Sequence, residues 1–74
     1  MKMTPIEEKI VAFVEGFEYV QKHQILNALE MYNIEKVQNS INNLVSYDIL
    51  AMKENVIDGT WHYCISYMYK NSPK

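Results

Sequence analysis

The hydrophobic period of this chain changes once, and that change sets the architecture. Up to Asp48 the apolar residues recur at helical spacing; beyond it they alternate, with the dipeptide Asp58-Gly59 inside the alternating stretch. A helix returns to the same face every 3.6 residues and a strand every second one, so helices are expected first and a β-hairpin second. Asp-Gly between β-prone runs is a hairpin-turn signal, because both residues tolerate the positive φ of a tight turn. Taken as a two-residue loop, it pairs Ile57 with Thr60, then Val56 with Trp61, Glu54 with Tyr63, Met52 with Ile65 and Leu50 with Tyr67. The face that runs from Val56 and Trp61 to Leu50 and Tyr67 is apolar or aromatic except for Glu54. The other face pairs Asn55 with His62, Lys53 with Cys64 and Ala51 with Ser66, all polar or small. A one-residue slip mixes the two sets, so turn and pattern support each other.

Three helices are expected before the hairpin. Thr4 as N-cap, Pro5 at the first helical position and Glu7 three residues after the cap predict a helix over 5–15. Ile6, Ile10, Phe13, Val14 and Phe17 follow at helical spacing, and Gly16 supplies a stop. Phe17–Val20 is aromatic and β-branched, enough for a brief strand or extended link. A second helix over 22–30 carries Ile25, Leu26 and Leu29, and Gln21 is a poor cap for it. Met31-Tyr32-Asn33 is a turn ending in a good N-cap. A third helix over 34–46 places Val37, Ile41, Leu44 and Val45 on one stripe. The expected fold is α+β, mostly α: one domain over residues 4–69, then a loose tail over 70–74.

Composition removes several classes of function. The chain has 74 residues, 49% hydrophobic and 22% charged, as expected of a folded domain and not of a disordered one. The longest apolar run, Ile10–Val14, falls far short of the ~20 residues of a membrane span. The first residues lead straight into Glu7, Glu8 and Lys9 without a secretion signal, and the single cysteine excludes an internal disulfide. A cytoplasmic location is expected. His23, His62 and Cys64 lack metal-ligand spacing, and two glycines cannot make a phosphate loop, so neither metal nor cofactor is expected. Cys64 and His62 share a strand face, yet no third group orients them and no oxyanion hole is in view. Glu7, Glu8, Glu15 and Glu18 read as a helix start and a solubilising face. No enzyme is expected. Trp61, Tyr63, Tyr67 and Tyr69 suit core packing better than a platform for stacked bases, with Trp61 near the tip the most exposed.

The order helix, extended link, helix, three-residue turn, helix, hairpin resembles the winged helix-turn-helix superfamily over nearly the whole chain. The matching residues are Val20-Gln21-Lys22 leading into Ile25, Leu26 and Leu29, then Asn33-Ile34-Glu35-Lys36-Val37, then Ile41, Leu44, Val45 and Ile49-Leu50. Asp48 stands where many relatives have glycine, and Asp tolerates a left-handed backbone better than most residues. The resemblance implies duplex-DNA binding and regulation of transcription by occupancy. The third helix would enter the major groove, and the wing tip (Asn55, Asp58, Gly59 and Thr60) would touch backbone or minor groove.

The residue chemistry fits such a role in part. Gln38, Asn39, Asn42 and Asn43 can make paired hydrogen bonds to adenine N6 and N7. Lys22, Lys36 and Lys53 can neutralise phosphates, and Ser40 and Ser46 can donate to them. The chain has no Arg, so a guanine-reading Arg fork is excluded and an A·T-leaning site is expected. Net charge is −2: residues 1–35 hold three Lys against six acids, residues 36–74 four Lys against three. With three or four Lys at phosphates, the log–log salt slope is roughly −3 to −4, so one copy binds weakly. A homodimer with recognition helices about 34 Å apart is the usual remedy. Phe17, Tyr67, Met68 and Tyr69 are the candidate residues for its surface. The alternative reading is a winged-helix adaptor or inhibitor that does not bind DNA and meets a basic protein partner.

Overall fold

The computed structural model describes residues 3–70. In chain order the elements are α1 Pro5–Glu15, β1 Val20–Gln21, α2 Lys22–Ala28, α3 Ile34–Ser46, β2 Leu50–Glu54, β3 Trp61–Ile65 and α4 Tyr67–Lys70. At the start of α1 the Thr4 hydroxyl accepts the Glu7 N–H at 3.2 Å, and the Glu7 carboxylate accepts the Thr4 N–H at 2.9 Å. The helix stops at Gly16, whose φ of −76° is right-handed, so the glycine's left-handed freedom goes unused. Before α2, the Gln24 side chain accepts the Gln21 N–H at 2.8 Å. This helix ends at Ala28, two residues short of the expected 30.

Asn33 caps α3, its side-chain oxygen accepting the N–H groups of Glu35 and Lys36 at 2.9 and 3.4 Å. The far end closes in a Schellman motif: Ile49 N–H reaches the Leu44 carbonyl at 2.9 Å and Asp48 N–H the Val45 carbonyl at 3.1 Å. That geometry puts Asp48 at φ +60°, the left-handed position expected of it. Its carboxylate also accepts the Ser66 hydroxyl at 3.2 Å, which fastens the helix end to the end of β3.

The hairpin keeps its expected faces and changes register by two. Leu50 pairs with Ile65, Met52 with Tyr63 and Glu54 with Trp61, while Ala51 opposes Cys64 and Lys53 opposes His62. A type I′ turn needs positive φ at both central residues. Here Gly59 has φ +72° but Asp58 does not join it. The loop therefore opens to four residues, 56–59, closed by Gly59 N–H to the Asn55 carbonyl and Asn55 N–H to the Thr60 carbonyl, both 2.7 Å. A shift of two preserves parity, so no side chain changes face. Tyr67 does not continue β3 opposite Leu50. Ser66 ends the strand, its N–H held by the Ile49 carbonyl at 2.8 Å, and its hydroxyl accepts the Met68 N–H at 3.3 Å as α4 begins. Lys70, placed in the tail by sequence, closes α4; residues 71–74 lie outside the described residues.

The sheet order is β1-β3-β2, with Val20 opposite Tyr63 and Gln21 opposite His62. The expected brief strand thus begins only at Val20, and Phe17–Tyr19 lead into it. Ile10, Val11 and Val14 of α1, Ile25 and Leu29, Val37, Ile41 and Leu44 of α3, and Val20, Ile49, Leu50 and Tyr63 form one buried core. Phe17 stays outside it, its ring tilted against Phe13 at 5.2 Å. Tyr67 is exposed too, whereas Tyr63 packs inward as expected, and burial pushes its phenol pKa up.

Candidate nucleic-acid interface

The surface of α3 follows from its buried stripe. Val37, Ser40, Ile41 and Leu44 face the core, so the opposite side of the helix presents Glu35, Asn39, Asn42 and Ser46, all exposed. Of the four amides singled out from sequence, Asn39 and Asn42 stand near the middle of this outward face. Gln38 is half-buried at its edge. Asn43 is exposed, but its amide nitrogen lies 3.5 Å from the Glu7 carboxylate, which ties it to α1. Ser40 is only 8% exposed and is not available as a phosphate donor.

Glu7 takes the capping-box role expected of it, but its burial was missed. It is 4% exposed, not part of a solubilising face, and joins the cap of α1 to α3 through Asn43. A signal was present. Glu7, Ile10, Val11 and Val14 stand at i, i+3, i+4 and i+7, so Glu7 occupies the apolar stripe of its helix.

The three candidate phosphate lysines sit on three elements, Lys22 at the start of α2, Lys36 in the first turn of α3 and Lys53 in β2, and all are exposed. Lys53 shares an open hollow of about 330 Å³ with Glu18, Tyr19, Glu54, Asn55, His62 and Cys64. Its charge there stands among two carboxylates. The Tyr19 ring meets His62 edge-on at 4.9 Å.

The wing tip spends its polar groups on itself. Asn55 accepts the Ile57 N–H at 2.9 Å, and the Asp58 carboxylate accepts the Thr60 N–H and hydroxyl at 3.0 and 2.7 Å. Those bonds hold the Asp58 pKa below its ordinary value, backbone donation from Thr60 first. What the loop presents outward is Val56 and Ile57, each 92% exposed. Among the described residues no helix is long and apolar enough to cross a membrane, and no three His, Cys, Asp or Glu side chains are grouped to hold a metal ion.

Helices α1 to α3, with a short turn between α2 and α3, and a hairpin flanked by a two-residue third strand make this a winged helix-turn-helix fold. Two crystal structures of the adhesin competence repressor AdcR from Streptococcus pyogenes, one of a C-terminally His-tagged form, share it with a TM-score of 0.77. Each is 21% identical over 93% of this chain, which covers 51% of the tagged chain and 50% of the other. The present chain therefore spans about half the length of these repressors. No family model and no curated protein matches the sequence.

Proposed function

We propose that this protein binds duplex DNA and regulates transcription by occupancy, with α3 in the major groove. The observation that carries the reading is the outward face of α3, where Asn39 and Asn42 stand exposed near its middle on a helix capped at both ends. A rigid helix with two free amides suits adenine edges, and Gln38 adds a third amide at the border. Lys22 and Lys36 supply phosphate contacts, with Lys53 a weaker third because of its acidic neighbours. The structural likeness to a repressor supports the same reading, which needs no catalytic group and no cofactor.

A single copy offers too few cations for firm binding, so the reading includes a homodimer. The molecule measures 36 × 31 × 21 Å, which allows two copies side by side to place their α3 helices about 34 Å apart, one turn of B-DNA. Selection of bound fragments from a random duplex pool at about 50 mM salt tests the proposal. Enrichment of an A·T-rich motif is the expected result. No retained DNA at tens of micromolar protein would overturn it and favour an adaptor that meets a basic protein.

A further inference from the structure

The wing tip is built to present apolar side chains. Val56 and Ile57 are almost fully exposed at the apex of a loop braced by Asn55, Asp58 and Thr60. Hairpin tips are usually polar, and ordering two β-branched residues in water gains nothing unless they are covered. Residues 54–61 carry Glu54 and Asp58 and no cation, so the apex is repelled by phosphate and by the negative potential of a minor groove. A protein surface of apolar and basic character fits it.

Among its described residues the chain carries one such surface. Most of its exposed apolar groups stand beside acids: Phe17 and Tyr19 flank Glu18, Met31 follows Glu30, Ile34 precedes Glu35 and Tyr47 precedes Asp48. The short helix α4 differs. Tyr67 and Met68 are 77% and 64% exposed, Lys70 follows, and no acid occurs after Asp58 in the sequence. Asp48 accepts the Ser66 hydroxyl just before α4, one helical turn from Lys70. Aromatic residues and Met are the types enriched in protein interfaces.

Placement makes the contact reciprocal. The apex and α4 lie at opposite ends of β3, whose five residues span about 17 Å. Two wings laid antiparallel about a two-fold axis bring each apex to the other copy's α4. We infer that the wing tip of each protomer docks on α4 of a second copy, Val56 and Ile57 against Tyr67 and Met68, with Glu54 and Asp58 facing Lys70. This names the surfaces of the dimer included in the proposed function, and it is measured without DNA, so it stands or falls separately from base reading.

Sedimentation equilibrium of the full chain tests it. A monomer–dimer equilibrium is expected, and Val56→Ser with Ile57→Ser should raise its dissociation constant about 30-fold. Both positions are exposed, and unchanged circular dichroism checks that the fold is intact. Lys70→Glu should weaken the dimer, and adding Glu54→Lys should restore it to within about threefold of the original, because the swap re-forms the charge pair. A chain that is monomeric at all concentrations, a dimer indifferent to the tip substitutions, or a charge swap without recovery would each overturn the assignment.

Discussion

Replacing Lys36 by Gln isolates the electrostatic share of the proposed DNA contact. The side chain is exposed in the first turn of α3, and Asn33 caps that turn through the backbone N–H of residue 36, which the substitution keeps. Lys22, Lys36 and Lys53 allow three phosphate contacts per protomer; at about −0.9 per phosphate, the slope of log K against log salt is about −2.7 for one copy and −5.4 for two. Between 50 and 200 mM salt a dimer then loses about 2,000-fold in affinity and a monomer about 40-fold. Lys36→Gln removes one contact per protomer, moves the dimer slope to about −3.6 and shrinks that loss to about 150-fold. Fluorescence anisotropy of a labelled A·T-rich duplex across that salt range measures the slope. The variant Asn39→Ala with Asn42→Ala should keep the full slope and lose about 1–3 kcal/mol of preference per lost amide pairing. An unchanged slope for Lys36→Gln, or an undiminished preference in the double variant, would refute α3 as the reading element.

Further predictions concern the turns that hold the interface in place. Asp48→Ala should lower stability by about 1–2 kcal/mol, since Ala accepts the left-handed backbone poorly and loses the Ser66 bond. Asp48→Gly should stay within about 1 kcal/mol of the parent, because relief of the backbone offsets the lost bond; urea unfolding separates the two. Gly16→Ala should be neutral or stabilising by up to about 1 kcal/mol, its φ being −76° and the added Cβ meeting only the Phe13 carbonyl at 3.5 Å. Gly59→Ala at φ +72° should destabilise by about 1 kcal/mol although its surroundings are empty, a contrast visible in thermal midpoints. The Asp58 carboxyl has its pKa lowered in the folded state, so its bonds to Thr60 are fully present above about pH 4 and are lost as pH falls through the folded value. An NMR titration of Asp58 with a midpoint at or above the ordinary carboxylate value would contradict that bonding.

How far the sequence reveals this molecule depends on whether a feature repeats. The bounds of α1 and α3 agree with expectation because each is announced twice, by a side-chain cap and by several turns of apolar period. The faces of the hairpin were legible for the same reason, since alternation over five residues a side survives any even shift in register. Loop length was not. Asp-Gly is compatible with two-residue and four-residue loops, and the choice turns on the φ of Asp58, which no pattern of side chains records. The short helix α4 was hidden because Tyr67 continues the alternation of Tyr63 and Ile65 with Cys64 and Ser66, and four residues cannot display a helical period.

The candidate site was legible only in part, for a related reason. Periodicity separates the inward and outward sides of α3, and so finds Asn39 and Asn42; it does not reveal partners across the fold. Asn43 lies at the flank, where an amide meets α1 as readily as solvent, and it is Glu7, 36 residues away in sequence, that engages it. A buried carboxylate with one oxygen on the Thr4 N–H and the other near the Asn43 amide fixes α3 against α1, since leaving a buried charge short of donors is costly. The proposed reading face is thus held in place from behind by a residue on α1. A groove-entering helix needs that support: its exposed amides discriminate bases only if the helix beneath them does not rock, and the rigidity comes from contacts that face away from the DNA.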